Sequence, residues 1–261
     1  MIAIYILVFV FGLLIGSFLN VVIYRLPREL SIVRPRSSCP SCGHQVAWYQ
    51  NFPVITYIGL KGKCSSCQTK IGIQYPLVEL LVGLFAVLLF PFSEGLQGIG
   101  HVELFKFAVE FSIACVFLAH FVIDIKYQLL PDKLNLYLLA VITPYAALSF
   151  PPHHWVVGGI VGFMGPYLVT LFFLKVRGVV GLGGGDIKLF GILGVLLGPI
   201  GVINTIFMSS LAGSVIGVAL IATKRMSKTT ALAFGPYILV VATLQIFFPD
   251  FFDMINPFVF N

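Results

Sequence analysis

Charged side chains are scarce in this chain of 261 residues. Asp, Glu, Lys and Arg make up only 10% of it, whereas a soluble globular domain carries about 25%. Hydrophobic residues reach 59% and the mean hydropathy is +1.02. This composition excludes a soluble enzyme, a disordered chain and a nucleic-acid-binding domain. The sequence therefore predicts an all-α integral membrane protein that crosses the bilayer several times.

Eight hydrophobic segments are candidates for transmembrane helices. A helix that crosses about 30 Å of hydrocarbon needs about 20 residues. Most of the segments fit this length loosely, and only 187–198 is clearly too short. The first segment is too long for the hydrophobic region of a signal peptide and lacks a basic N-terminal flank, so we expect it to stay in the protein as a helix. The segments are 2–24, 77–92, 104–123, 134–150, 156–174, 187–198, 200–222 and 234–249.

Lysine and arginine are distributed unevenly between the predicted loops. With eight spans, 15 of the 16 basic residues fall on one side of the membrane, and Lys106 is the exception. Cytoplasmic loops are enriched in Lys and Arg, so this side is predicted to be cytoplasmic and both termini to lie outside. We therefore expect a multi-pass protein of the plasma (inner) membrane.

Four of the five cysteines form two C-x-x-C pairs in the predicted cytoplasmic segment between the first two spans. The pairs, Cys39–Cys42 and Cys64–Cys67, are separated by 21 residues, just beyond the spacing of about 15–20 residues found in zinc sites of this kind. Four thiolates make a closed tetrahedral site, which is structural because no position remains for water or substrate. Two disulfides are the alternative, and the reducing cytosol disfavours them. The sequence thus predicts a structural zinc site in a small cytoplasmic domain.

Four carboxylates lie within or beside the predicted spans, where ionisable residues are functional candidates by default. Asp132 stands where a helix N-cap belongs, and capping is its more ordinary role. Glu79 lies near the positive end of its helix dipole, which leaves a structural and a functional role equally open. Asp124 ends a helix, where the dipole disfavours a negative charge. Asp186 follows three glycines, which permit close approach or movement of the backbone.

Asp124 and Asp186 are predicted to meet at the cytoplasmic membrane face from two different helices. Two carboxylates held close together share one proton. One can then act as a base on water while the other acts as an acid toward the peptide. This pattern indicates an aspartic protease. Because segment 187–198 is short, we also expect 178–185 to dip into the membrane as irregular backbone that carries Asp186 below the cytoplasmic surface.

An ordered set of motifs resembles the bacterial type IV prepilin peptidases, which cut leader peptides from prepilins and then methylate the new N-terminus. The resemblance covers nearly the whole chain. Its motifs are Gly16–Pro27, the two C-x-x-C pairs with Trp48 and Asn51–Pro53 between them, Tyr75–Leu80, Asp124 to Leu130–Asp132, Gly183–Lys188 and Phe234–Pro236.

The resemblance assigns roles to several of these residues. It places the family's two catalytic aspartates at Asp124 and Asp186, and its zinc ligands at Cys39, Cys42, Cys64 and Cys67. Many relatives carry a further aspartate two residues after the first, and this chain has Lys126 there instead. The residues expected in supporting roles are Glu79, Asp132, Gly183, Gly184, Gly185 and Lys188.

The resemblance also implies a domain plan, a second activity and a set of partners. The plan is a first transmembrane helix in 1–24, a zinc-binding domain in 25–76 and a seven-helix bundle with the protease site in 77–261. The implied methyl donor is S-adenosylmethionine. Its binding residues stay open, because the sequence has no glycine-rich nucleotide loop after a strand. The expected partners are prepilins or pseudopilins and membrane lipid, without nucleic acid and with an open oligomeric state.

Two other functions remain as alternatives. The first is an archaellin-type signal peptidase without methylation, which the predicted zinc domain disfavours. The second is a zinc-ribbon membrane transporter or scaffold. A transporter needs charged groups near the membrane midplane, often at broken helices with repeat symmetry, and the sequence shows neither.

Overall fold

The computed structural model describes residues 2–47, 52–91, 100–178, 181–225, 227 and 232–256. Over these residues the chain is helical, with two isolated antiparallel bridges and no β-strand. The all-α fold is therefore confirmed. The chain divides into two compact units, of which one ends at Ala119 and the other begins at His120.

The first unit contains two apolar helices, a small cysteine-containing region and the first part of a third helix. Helix α1 is Ile2–Arg25, the short α2 is Ile55–Gly59, α3 is Gln74–Leu89, and α4, His101–Tyr127, begins here. Arg25 ends α1, and its guanidinium donates hydrogen bonds to the carbonyl oxygens of Ser31 at 2.8 Å and Pro35 at 2.7 Å. These bonds fix the direction of the chain where it leaves the helix.

Glycines bring α1 and α3 into backbone contact. Gly12 and Gly16 lie one turn apart on the same face of α1. A Cβ atom on either would lie 2.7 Å from a Cα atom of α3, that of Gly83 for Gly12 and that of Glu79 for Gly16. Small residues at this spacing let apolar helices approach closely in membranes. Ser17, the neighbour of Gly16, is thereby held next to Glu79.

The second unit contains the end of α4 and five further helices. They are α5 (Asp132–Ser149), α6 (Pro152–Arg177), α7 (Gly184–Ala222), α8 (Gly235–Phe247) and α9 (Pro249–Ile255). Helix α6 packs directly on α7, because Gly158 and Gly194 are in backbone contact and neither position has room for a Cβ atom.

Helix α7 is broken at Gly198, where φ is +72° and ψ is −179°, and Pro199 follows. A Cβ atom on Gly162 of α6 would lie 2.9 Å from the Phe190 carbonyl carbon and 3.0 Å from Val202 Cγ2. In an uninterrupted helix those two residues would be about 18 Å apart. The chain therefore reverses at Gly198, and α7 consists of two arms, 184–198 and 199–222. This break coincides with the boundary between the predicted segments 187–198 and 200–222.

Within the described residues, four helices taken over their full lengths are long and apolar enough to cross a membrane: Ile2–Arg28, which adds the turn after α1, together with α4, α6 and both arms of α7 counted as one. The pair α8 and α9, bent by 119°, gives a fifth if it counts as one span. Helix α3 is apolar but has only 16 residues. A helix covers most of each of the eight predicted segments. The number of spans and the three-part domain plan stay predictions.

Candidate functional sites

The structure brings Asp124 and Asp186 together within the second unit. Asp124 lies in the last turn of α4 and is only 5% exposed, and Asp186 is the third residue of α7 and is half-buried. Their carboxylates are close enough to interact electrostatically. Two helices thus deliver the two predicted acids to one place, while their catalytic role stays a prediction.

The Asp124 carboxylate rests against the backbone of Gly235 at the start of α8. A Cβ atom on Gly235 would lie 2.7 Å from Asp124 Oδ2 and 3.1 Å from its Cγ. Only glycine leaves room for the carboxylate at this point. The sequence analysis gave Gly235 no role, although the Phe234–Pro236 motif contains it.

The three glycines before Asp186 do different things. Gly183 is the N-cap of α7, and a Cβ atom on it would lie 3.0 Å from Asp186 Oδ2, because the carboxylate turns back toward the start of its own helix. A Cβ atom on Gly185 would lie 2.9 Å from Leu130 Cβ, while Gly184 faces open space. Since α7 begins at Gly184, helix replaces irregular backbone at the end of the predicted segment 178–185, of which 179 and 180 lie outside the described residues. The depth of Asp186 in a membrane stays a prediction.

Asp132 pairs with Lys188, which joins two of the residues predicted to support the site. Lys188 Nζ lies 2.7 Å from Asp132 Oδ1, and the pair ties the start of α5 to the second turn of α7. The expectation that Asp132 is an N-cap was wrong. Pro131 holds that position with extended backbone, and Asp132 is the first helical residue, so its side chain is free to reach Lys188.

A buried polar pair lies one helical turn before Asp124. His120 is fully buried and Asn135 is 3% exposed, and the Asn135 side chain lies beside the His120 ring. Neither side chain makes a hydrogen bond with any of the described residues. The sequence analysis gave Asn135 no role, because nothing in its local pattern distinguishes it from a solvated helix residue.

The four predicted zinc ligands form one cluster in the first unit. The Sγ atoms of Cys39, Cys42, Cys64 and Cys67 all lie within 4.8 Å of one another, and none of them is in a disulfide. Cys39 Sγ and Cys67 Sγ are 3.8 Å apart. Four sulfurs bound at about 2.3 Å around a tetrahedral ion are also separated by about 3.8 Å. The cluster could therefore hold a metal ion.

The two cysteine turns have the same construction. The backbone N–H groups of Cys39 and Cys64 each donate 2.9 Å hydrogen bonds across the turn, to the carbonyls of His44 and Thr69. Hydrogen bonding with the Thr69 side chain, and then with its backbone, lowers the pKa of the Cys67 thiol to about 6. The backbone N–H of Cys42 likewise lowers the pKa of Cys39. At these two positions the thiolate, the form that binds metal, is favoured. The pKa of Cys42, which the His44 backbone lowers but burial and the neighbouring thiols raise, is higher, at about 11.

Glu79, the remaining predicted residue, forms a separate polar site in the first unit. It is 8% exposed, and its Oε2 accepts a 2.8 Å hydrogen bond from the Val54 N–H. Glu79 lines a cavity together with Ser17 and Asn20 of α1. The sequence analysis assigned no role to Ser17 or Asn20. Their place in the Gly16–Pro27 motif was the available signal.

Two family models match consecutive parts of the chain. The bacterial Peptidase A24 N-terminal domain matches residues 10–92, which include the cysteines and Glu79. The Type IV leader peptidase family matches residues 111–218, which include Asp124 and Asp186. The Trp48 and Asn51 of the motif set lie outside the residues that the structure describes. No solved structure matches the chain.

Several curated proteins are similar over most of their length. A protein of Neisseria gonorrhoeae named prepilin leader peptidase/N-methyltransferase is 34% identical over 88% of this chain and 86% of its own length. Proteins with the same name from Pseudomonas putida and Xanthomonas campestris are 32% and 34% identical, and the alignments cover 92% and 95% of this chain and 89% and 92% of theirs. With such coverage, and with both family models in order along the sequence, the chain belongs to the type IV leader peptidase family.

Proposed function

We propose that this chain is a bifunctional membrane enzyme that removes the leader peptide from type IV prepilins or pseudopilins and then N-methylates the new N-terminus. The names of its relatives combine both activities. The observation that carries the proteolytic half is the proximity of the buried Asp124 to Asp186 at the meeting of α4, α7 and α8. The alternatives, a signal peptidase without methylation and a transporter or scaffold, have no such support.

The proposed cleavage chemistry follows from two carboxylates that share one proton. Like charges this close cannot both ionise easily, so one group is a base and the other an acid. The base takes a proton from the attacking water, and the acid protonates the carbonyl oxygen or the leaving nitrogen. Gly235 and Gly183 let backbone approach the two carboxylates, which fixes the carboxylate positions before substrate arrives.

The proposed topology puts this chemistry where the substrate is cut. Prepilin leaders are short and basic, and the bond lies at the start of an apolar helix. The excess of Lys and Arg supports a cytoplasmic position for the start of α7 and the end of α4. The apolar helix of the substrate would pack laterally on the bundle. Asp132 is already paired with Lys188, so it is a weaker candidate for binding the basic leader.

The cysteine cluster supports a structural zinc site in a cytoplasmic domain of about 50 residues, which is too small to fold on its own core alone. Because ligand geometry and metal chemistry agree there, Cys39, Cys42, Cys64 and Cys67 are proposed to hold one zinc ion. A zinc ion held there would tie the two cysteine turns to each other.

We assign methylation to a different place from cleavage, since the acids lie in the second unit and the cysteines and Glu79 in the first. When bound, S-adenosylmethionine supplies a methyl group that is transferred to the amine nitrogen, while the sulfur keeps the electron pair of the broken S–C bond and the amine's proton passes to solvent. This chain has to hold the donor and present the amine, and neither task needs an aspartate pair.

The test replaces each acid with its amide. Asp124→Asn and Asp186→Asn keep the side-chain shape, and each should lower prepilin cleavage by about 10²–10⁴-fold, with the double variant little worse than either. Asp253→Asn, in an exposed position of α9, is the matched control and should cleave normally. A mobility-shift assay with prepilin in detergent measures this, and normal cleavage by either acid variant would refute the mechanism.

The same variants test the separation of the two activities. Supplied with pre-cleaved pilin and S-adenosylmethionine, both should still transfer the methyl group, because the acids take no part in that step. If folded Asn variants lost methylation of pre-cleaved pilin, one shared site would have to serve both reactions.

A further inference from the structure

A cavity of about 350 Å³ lies entirely within the first unit, between α1, α3 and the cysteine domain. Sites for small molecules typically measure about 300–1,000 Å³. The cleavage mechanism makes no use of this cavity, because Asp124 and Asp186 belong to the second unit. Nothing in the proposed zinc site uses it either, although Cys39 and Cys64 form part of its wall.

The membrane end of the cavity carries buried hydrogen-bond acceptors. The Glu79 carboxylate is 8% exposed and is held in place by the Val54 N–H and the Ser17 hydroxyl. Asn20 is 3% exposed, and its Nδ2 donates a 3.0 Å hydrogen bond to the Tyr75 carbonyl. That bond fixes the amide, and its Oδ1 has no donor among the described residues. A buried acceptor of this kind is normally paired, so it calls for a partner beyond the described residues, which a bound ligand can supply.

Part of the cavity wall is aromatic, and Arg25 and Lys70 also line the cavity. Tyr57 and Tyr75 line it, and Tyr57 is anchored by a hydrogen bond from its hydroxyl to the Ile71 carbonyl at 3.4 Å. Aromatic faces attract cations and stack on flat rings. A ligand that suits this cavity therefore carries N–H donors, a planar ring and groups of both charges, since Glu79 lines the cavity together with Arg25 and Lys70.

We propose that this cavity binds S-adenosylmethionine, with Glu79 beside its cationic groups and the free Asn20 oxygen accepting one of its N–H groups. The molecule has a sulfonium and an ammonium, which suit Glu79, a carboxylate, which suits Arg25 or Lys70, and a planar adenine ring with an exocyclic amine. This assignment rests on the proposed methyl transfer and identifies the residues that serve it.

The experiment measures binding of the donor rather than turnover. Full-length protein in lipid nanodiscs is dialysed to equilibrium against tritiated S-adenosylmethionine, without any pilin. Asn20→Leu removes the amide and fills its space, and Glu79→Gln removes the charge but keeps an acceptor for Val54. Each should weaken binding at least tenfold. Asn204→Leu and Glu103→Gln make the same changes outside the cavity and should bind like the wild type.

Two further measurements check the folding of the variants and the location of the bound donor. The metal content and elution volume of each variant show whether the cysteine domain and the bundle are intact. Photo-crosslinking of the bound donor to wild-type protein should label peptides that contain Tyr57 or Tyr75, and excess S-adenosylhomocysteine should abolish the label.

The outcomes separate the site from the function. If wild-type protein binds the donor and both folded variants bind it equally well, the cavity is not the donor site, although methyl transfer by the chain stands. If the variants weaken binding of a cleaved pilin peptide but not of the donor, the cavity holds the substrate amine and the proposal is wrong. If wild-type protein neither binds the donor nor methylates pre-cleaved pilin, the methyl-transfer half of the proposed function fails.

Discussion

Leu130 contacts the two glycine positions that adjoin the acid pair. Its Cβ would lie 2.9 Å from a Cβ on Gly185, and its Cδ2 would lie 3.3 Å from one on Gly235. The loop before α5 therefore packs on the starts of both α7 and α8. Leu130 meets bare glycine backbone at both positions. The position of the carboxylates therefore depends on the absence of a Cβ atom at Gly185 and Gly235.

Gly235→Ala should impair cleavage without unfolding the protein. The added Cβ would lie 2.7 Å from Asp124 Oδ2, so the carboxylate must move. A displacement of about 1 Å in an active site can cost about 10²-fold in rate. A prepilin cleavage assay measures the loss. Gly165→Ala adds the same methyl group to a helix where nothing lies within 4 Å, and it should cleave normally. Equal rates for both variants would contradict the role of Gly235.

At the scale of single residues, the sequence identifies a candidate functional residue when its side chain is unfavourable at its local position. Asp124 lies at the C-terminal end of a helix, where the dipole disfavours a negative charge, and this position alone made it a candidate catalytic residue. Gly235 and Asn20 have no comparable feature in their local sequence. Their importance comes from contacts with residues distant in sequence, with Asp124 for one and with the Tyr75 carbonyl for the other.

Among the elements, the reversal in α7 depends on one glycine. At φ +72° and ψ −179°, Gly198 occupies a region that other residues avoid, and the His154 ring fills the space where a side chain would start. Gly198→Ala should lower stability by about 1–3 kcal/mol or more. Thermal unfolding in detergent measures this. Gly217→Ala, in the second arm and with only ordinary contact at 3.7 Å, should change the melting temperature little. The explanation fails if the two variants melt together.

The cysteine domain offers an independent test. Cys67→Ser should release the metal and loosen the domain, because in such small domains the free energy of metal binding supplies most of the free energy of folding. Elemental analysis of purified protein should give about one zinc for the wild type and for Cys115→Ser, whose buried thiol lies in α4 outside the cluster. Zinc retained by Cys67→Ser, or less than half an equivalent in the wild type, would remove the zinc assignment.

Hydrophobicity located the helices well because burial in lipid or protein demands apolar side chains over a fixed length. It did not fix their ends. The sequence placed the start of the sixth segment at Ile187, whereas α7 begins at Gly184, since its N-terminal turn needs no apolar residue. The sequence also predicted Asp132 as the N-cap of its helix. In the structure Pro131 is the N-cap, and Asp132 forms an ion pair with Lys188.

For the whole molecule, the distribution of Lys and Arg predicts which side each loop occupies. Alkaline phosphatase fused after Lys70 should stay inactive in the cytoplasm, and the same reporter fused after Gly100 should be active outside. β-Galactosidase fusions at the two points should show the reverse pattern. Phosphatase activity at Lys70 would invert the proposed topology and move the cysteine domain to an oxidising compartment, where its thiols would pair.

The reversal at Gly198 also bears on how the protein is made. At about 1.5 Å per residue, the arm 184–198 is about 22 Å long, less than the roughly 30 Å of hydrocarbon it would have to cross alone. The second arm follows at once after the turn and lies against the same helix, α6. We therefore expect the translocon to release the two arms into lipid together, as one hairpin. A ribosome paused between them would leave Asp186 on a segment with no stable place in the bilayer.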